Sequence, residues 1–453
     1  MDGRGHLLRV LGLAFGLAAV IGSVVGQGIL RAPGIVAQAS GSEWVLLALW
    51  LAGGLLALLA ALPLAELGAA LPSAGGIITF AGRAFGPGMR VIAAFTMLLM
   101  QVTAAAVVAF VAGELLVRLG VGGDLFGWTV GPSELAIALL AGLLLVNTLG
   151  TQVNGMVQVG LSAFKGAALI ALVVALFAQP GAAPPPEPSA IAPAGWLAFG
   201  TAMLVIIGSY NGWGDVVVYG EEIDDPGRNL PRSLFGGIAG VMVLYLAVNL
   251  ALFHAMTPAA LARSDFPAAD ALGSTLGANA DLAFTLFGVV SIGALCSLGV
   301  MSTGRIAYAA ARDRILPRWF DKVRPNGAPL RAMALVCAVA TAFLWSGSYL
   351  ALSSTSVALS QATMLLFALC SIALMRREPG LHRPFRIRAY WPVMALVVGF
   401  DALLLAIIIA QDTWFSLAGF VLVGALAGGY RLLGPQMDEA AIEEREEAWI
   451  SPD

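Results

Sequence analysis

The chain has 453 residues, 59% apolar and 11% charged, with a mean hydropathy of +0.89; soluble domains carry about 25% charged residues, so a water-soluble enzyme is disfavoured. Twelve bilayer crossings of roughly 20 residues would use a little over half of the length, leaving short connections and no large extramembrane domain. The net charge of -3, with 22 Arg and 2 Lys scattered through short connections, offers no nucleic-acid surface.

In chain order, apolar segments occupy approximately 9–38, 44–70, 90–118, 134–150, 156–178 and 196–219, then 232–256, 281–310, 330–346, 349–375, 391–411 and 413–433. Each is uniformly apolar, and in hydrocarbon a helix satisfies every backbone group within its own segment. The pattern predicts an all-α membrane protein with twelve transmembrane helices. The boundary between the ninth and tenth rests on Ser346, Gly347 and Ser348. Arg4 and Arg9 before the first segment mimic a signal peptide, but the run is long and lacks a cleavage site.

Charge placement supports the count. With both termini cytoplasmic, Arg118 and Arg263 fall outside and Arg31 and Lys165 within the membrane, while the rest of the 24 basic residues lie on the cytoplasmic side. A plasma (inner) membrane location is expected. Residues 179–193 form a Pro-rich outer connector, and 434–453 an acidic cytoplasmic tail. The twelve helices of 1–433 are read as a single domain, with repeats at about 9–178 and 196–375 and additional helices at about 391–433. Cys296, Cys337 and Cys370 sit apart in apolar runs, and His6, His254 and His382 lack ligand spacing, so neither a metal nor a cofactor is expected.

Two segments carry breaks. Ile21-Gly22-Ser23-Val24-Val25-Gly26-Gln27-Gly28-Ile29 lies in the first, and Gly208-Ser209-Tyr210-Asn211-Gly212-Trp213-Gly214 in the sixth. Dense glycine raises the entropic cost of staying helical and leaves amides and carbonyls free. Splitting the helices into one to five and six to ten puts each break in the first helix of a half. An odd number of crossings inverts the second half, the pattern of an inverted-repeat secondary transporter. Half-helix N-termini attract a carboxylate, and exposed carbonyls accept from an ammonium; the pair suits a zwitterion.

Several motifs then match in order. Gly26-Gln27-Gly28-Ile29 resembles the Gly-Ser/Thr-Gly-Ile signature of the amino acid/polyamine/organocation superfamily. Ala65-Glu66-Leu67-Gly68, Pro72-Ser73-Ala74-Gly75-Gly76 and Phe85-Gly86 resemble its second helix and following loop. Tyr210-Asn211-Gly212-Trp213, Glu221-Glu222 and Asp225-Pro226-Gly227-Arg228-Asn229-Leu230-Pro231 are similar to a block of its L-type amino acid transporter branch. Ser302-Thr303-Gly304-Arg305, Ala311-Arg312-Asp313 and Leu316-Pro317 resemble its eighth-helix end. The resemblance implies a leucine-transporter-like five-plus-five inverted repeat, with discontinuous helices 1 and 6 and two extra helices, moving amino acids by alternating access. It implies that amides around Gly26, Gln27 and Gly28 hold the substrate carboxylate and carbonyls near Val24, Gly208 and Ser209 its amine. Asn211 shapes the site and Trp213 supports the break. Gln27 replaces a small hydroxyl residue, Gly208 stands where many L-type relatives carry an aromatic gate, and Ile78 and Phe80 stand where tyrosines are usual.

Charges inside the membrane need an account. Lys165 in the fifth helix costs at least about 2.5–3.5 kcal/mol at the bilayer centre, so it should face the bundle interior. One reading, implied by sodium-independent relatives, has its ammonium replace a coupling sodium and brace the first helix against the eighth at Ser297; the other has it snorkel to the interface. Glu66 is read as pairing with a cytoplasmic cation. Asp215 stays open between a proton site and a backbone ligand, and Arg31 between attracting an anion and reaching water. Asp401 is a lone charge read as structural or at an oligomer contact.

The expected function is sodium-independent transport of neutral L-amino acids, as an exchanger or with protons. Rivals are a cationic amino acid or polyamine carrier and a non-transporting amino-acid sensor. Expected partners are the amino acid and the bilayer, with no nucleic acid and no accessory subunit.

Overall fold

The computed structural model describes all residues except 1–6, Gln27, Gly41, 126–127, 182–195, Asp265, Ala278, 346–348, 435–436, 438–441, 443 and 445–453. Most of the Pro-rich connector, the Ser346 to Ser348 boundary and nearly all of the acidic tail thus lie outside the described residues.

The first apolar segment folds as two helices, α1 (Leu13–Val24) and α2 (Gly28–Ser40), separated where Val25 turns extended. Next come α3 (Glu43–Ala70), α4 (Ile77–Phe85), α5 (Pro87–Arg118), α6 (Pro132–Asn147) and α7 (Thr151–Phe177). A small hairpin, β1 (Gly123–Leu125) against β2 (Trp128–Val130), joins α5 to α6. The sixth segment is also divided: α8 (Trp196–Ser209) stops, and a 3-10 turn over Trp213–Tyr219 follows. The remainder is α9 (Pro226–Ala255), α10 (Pro258–Arg263), α11 (Pro267–Leu276), α12 (Asn279–Arg312), α13 (Leu330–Trp345), α14 (Tyr349–Arg377), α15 (Tyr390–Gln411) and α16 (Thr413–Leu433).

Local chemistry sets many ends. Pro occupies the first turn of α5, α6, α9, α10 and α11, where its missing N–H costs nothing. Ser42 caps α3 by accepting the Val45 amide at 3.2 Å. Hydropathy alone did not foretell α4, α10 and α11: they are short helices inside connections, and each lacks the length of a span.

Among the described residues, eight helices are long and apolar enough to cross a bilayer, and Leu13–Val24, Pro132–Asn147 and Leu330–Trp345 are shorter apolar helices. The chain is a multi-pass, membrane-embedded helical protein. Its core is assembled around α1, α3, α5, α9, α12 and α14, with α15 and α16 packed beside α14.

One end of the bundle is tied by ion pairs. Arg305 of α12 grips Glu222 beyond the 3-10 turn, with Nη2 donating to Oε1 at 2.8 Å, and both side chains are fully buried. Arg312 holds Glu221 through two bonds of 3.0 and 2.7 Å, and Glu221 also accepts the Ala74 amide at 2.9 Å. Arg90 pairs with Asp313 at 3.0 Å, Arg83 with Glu378 at 2.7 Å, and Arg383 with Glu66 at 3.0 Å. The incoming chain joins this plug: the Leu11 amide donates to the Glu222 carbonyl, and the Asp224 amide to the Leu11 carbonyl, each at 2.9 Å. Several of the motif residues quoted above therefore close one end of the molecule rather than line a cavity.

Candidate substrate site at the two helix breaks

The breaks in α1–α2 and after α8 meet. A Cβ placed on Gly28 would stand 2.9 Å from the Ser209 Cα, and one on Gly212 would stand 2.8 Å from the Ser23 carbonyl oxygen. Gly212 also has φ +109, a left-handed conformation that side chains resist. Glycine at both positions lets the backbones touch where helix ends expose their polar groups.

A helix that stops in a membrane leaves its last carbonyls without amide partners. At the end of α1 side chains of other helices take several of them. Lys165, fully buried on α7, donates to the Gly22 carbonyl at 2.8 Å and to the Val25 carbonyl at 3.0 Å. Tyr245 of α9 places its hydroxyl 3.0 Å from the Val24 carbonyl and 3.2 Å from the Ser209 carbonyl, sharing one proton between the two breaks. The Ser162 hydroxyl takes the Ala18 carbonyl at 2.7 Å one turn earlier. Gly22 permits this approach of α7, because a Cβ there would collide with Ser162 Oγ and stand 2.5 Å from Gln158 Nε2.

A cavity of ≈ 300 Å³ opens between the breaks, α5, α12 and α14. That is at the small end of ligand pockets, roughly 300–1,000 Å³, and suits a small solute. Val24, Gly26, Gly28, Gly208, Ser209 and Asn211 all line it, together with Ser23, Gln101, Asp215, Ser356 and Ser360. Backbone of the breaks and the side chains of Met97, Met100 and Leu295 line it together, so the cavity offers a solute both dipoles and apolar surface.

Other residues singled out in the sequence stand elsewhere. Gln27 lies outside the described residues, as does the Arg31 side chain. Trp213 is buried and faces a second cavity. Lys165 sits behind the α1 carbonyls and does not line the cavity; its hydrogen bonds run to Gly22 and Val25, and among the described residues none runs to Ser297. Asp215 accepts Gln101 Nε2 at 3.1 Å. Glu66, besides Arg383, accepts the Ile387 amide at 3.0 Å. Asp401 is buried on α15 and accepts Gln361 Nε2 at 3.0 Å.

Tyr245 escaped sequence reasoning. It is a lone tyrosine in an apolar run, and only the crossing of α9 behind both breaks gives its hydroxyl two carbonyls. Tyr210 and Trp50 join it: the Tyr210 hydroxyl donates to the Trp50 carbonyl at 3.1 Å, and the Tyr245 ring centre is 5.2 Å from Tyr210 and 5.4 Å from Trp50. This aromatic cluster anchors the second break to α3 and α9.

Residues 11–427 match the profile of a family described as amino acid permease. The serine/threonine exchanger SteT of Bacillus subtilis is 27% identical over 419 residues, covering 88% of this chain and 91% of the exchanger. The Asc-type amino acid transporter 1 of Mus musculus is 27% identical over 442 residues, covering 93% and 80%. The cystine/glutamate transporter of Homo sapiens is 26% identical over 441 residues, covering 92% and 83%.

Proposed function

This chain belongs to the amino acid permease family, within the amino acid/polyamine/organocation superfamily, and on that premise we propose that it is a sodium-independent secondary transporter of neutral L-amino acids. The observation that carries the proposal is the meeting of two interrupted helices around one small cavity, through Gly28 against Ser209 and Gly212 against Ser23. In this reading the first amides of α2, which have no acceptor within their helix, receive the substrate carboxylate. The carbonyls near Val24, Gly208 and Ser209 receive its amine. Small hydroxyl residues and methionines around the remaining wall favour an uncharged side chain.

Lys165 supports independence from sodium. Its ammonium already occupies the carbonyls that a coupling cation would need at the end of α1. The architecture proposed is twelve helices in a five-plus-five inverted repeat over about 9–178 and 196–375, with additional helices over about 391–433, all one domain, and with both termini cytoplasmic in a plasma membrane. The ion-paired end then faces the cytoplasm. The chain acts without an accessory subunit and without enzymatic chemistry. One relative, SteT, is named an exchanger, which supports antiport, and the relatives' names span serine, threonine, cystine and glutamate.

Uptake of a panel of labelled amino acids into proteoliposomes, with and without internal amino acid, tests this. Neutral amino acids should enter, and internal substrate should accelerate them if exchange operates. Absence of uptake and of binding for every amino acid would end the proposal. A cationic amino acid or polyamine carrier is the second reading, favoured by Asp215 facing the cavity; competition by arginine or putrescine in the same assay would select it.

A further inference from the structure

Beside the central cavity lies a second one of ≈ 180 Å³, bounded by α3, α8, α14 and α15. Gly208, Asn211, Val357 and Met364 line both, so the partition between them consists of residues that face each side. At Gly208 the partition carries no side chain, and a Cβ built there meets nothing within 4 Å, so the wall is thinnest at this residue. Asn211 spans the wall, with its Nδ2 donating to Ser360 Oγ at 3.4 Å and its Oδ1 accepting the Gly212 amide at 2.9 Å.

The second cavity is apolar along most of its length, with Ala57, Ala60, Leu204 and Phe400 on its walls, and polar where Asp401 and Gln361 face it. Asp401 is 3% exposed. Its Oδ1 accepts Gln361 Nε2, and among the described residues no donor reaches its Oδ2 and no basic side chain pairs with it. A carboxyl in the middle of a membrane helix carries a cost of about 2.5–3.5 kcal/mol or more and marks function when it faces a cavity. Here two acceptors, the free carboxyl oxygen and the Gln361 amide oxygen, belong to residues lining a mostly apolar cavity that shares a wall with the one at the helix breaks.

We propose that the second cavity is a side-chain arm of the transport site, which admits amino acids whose long apolar stem ends in a hydrogen-bond donor. The inference rests on the central cavity being an amino-acid site. With the α-carboxylate and α-amine held at the breaks, the side chain passes Gly208, lies along Ala57 and Ala60, and sets its terminal donor against Asp401 and Gln361. A neutral amide or ureido group and an ammonium share that chemistry. A lipid acyl chain would fill the corridor equally well but brings no donor to the two acceptors, and the wall shared with the central cavity favours a solute.

The test is inhibition of labelled alanine uptake into proteoliposomes of the full chain by norleucine, citrulline and lysine. In the wild type, citrulline or lysine should inhibit about tenfold more strongly than norleucine, the worth of one hydrogen bond to a charged or buried acceptor. Which of the two inhibits tells a neutral donor from a cationic one. Asp401→Ala should raise the half-inhibitory concentration of that competitor about tenfold, to the norleucine level. Ala60→Phe should fill the corridor and abolish inhibition by all three while alanine uptake persists. If Ala60→Phe does not fold, Asp401→Ala still reads the arm from its far end. Unchanged competitor ranking in Asp401→Ala, with alanine still transported, would overturn the proposal. So would a co-purified lipid lost from Ala60→Phe in native mass spectrometry with side-chain selectivity intact. Failure of the wild type to take up alanine or any amino acid would instead strike the reading of the central cavity.

Discussion

Gly28→Ala and Gly208→Ala make the same chemical change in the two breaks, and helix propensity alone would credit each with a gain of up to about 1 kcal/mol. The structure separates them. A Cβ on Gly28 stands 2.7 Å from Ser209 Oγ and 2.9 Å from both Ser209 Cα and Cβ, whereas carbon atoms rest at roughly 3.5–4.0 Å. The two breaks must then part by about 0.6 Å or more, and overpacking of this kind costs about 1–3 kcal/mol. Set against the full propensity gain, the net loss is up to about 2 kcal/mol, a factor of up to roughly 30 in the population of the closed arrangement. A Cβ on Gly208 enters open space and forces nothing apart. Thermal unfolding of the purified variants, with and without alanine, reads both effects. Gly28→Ala should unfold at a lower temperature and lose substrate-induced stabilisation. Gly28→Ala with Ser209→Gly should recover part of the loss, because the serine side chain no longer presses on the added methyl while the backbone behind it still does. Gly208→Ala, with the propensity gain unopposed, should unfold at or above the wild-type temperature. Wild-type unfolding and affinity in Gly28→Ala, or greater thermal damage in Gly208→Ala, would refute the convergence of the two breaks.

Lys165→Ala removes two charge-assisted bonds from the end of α1, each worth about 1.5–3 kcal/mol, and should cut uptake per molecule far more than expression; wild-type flux would remove Lys165 from the mechanism. Tyr245→Phe deletes only the hydroxyl shared by Val24 and Ser209, and the freed carbonyls should weaken substrate-induced stabilisation by about 1–3 kcal/mol, measured by titrating alanine against unfolding temperature. Glu222→Ala leaves the buried Arg305 guanidinium unpaired and should destabilise by about 3–5 kcal/mol. The double replacement Glu222→Met with Arg305→Met should regain most of that stability in denaturant titrations while losing transport, because the ion-paired end can no longer be rebuilt after opening.

Much of this architecture is visible in the residues themselves. Clustered glycines in two apolar segments mark the breaks, and the structure interrupts both segments there, between Val24 and Gly28 and between Ser209 and Trp213. A lysine inside a uniformly apolar helix signals an interior partner, since lipid offers none. Other features depend on three-dimensional crossing and leave no local trace. Tyr245 looks like any apolar-run tyrosine until α9 passes behind both breaks. Arg305 and Glu222, 83 positions apart, form a buried pair only because α12 returns beside the 3-10 turn. Asp401 reads as an isolated charge along α15, and its meaning changes once Gln361 and a cavity face it. The small helix α4 is hidden because its hydrophobic face is too short for a span and answers to packing against α5 and α14 instead.

The central claim is that backbone groups at the two breaks hold both charged ends of an amino acid. Competition against labelled alanine uptake by alanine amide, which lacks the carboxylate, and by N-acetylalanine, which lacks the ammonium, tests it most directly. Neither should inhibit at concentrations where unlabelled alanine does so fully. Inhibition by either one equal to that of alanine would show that the corresponding end is not gripped at the breaks and would contradict the account.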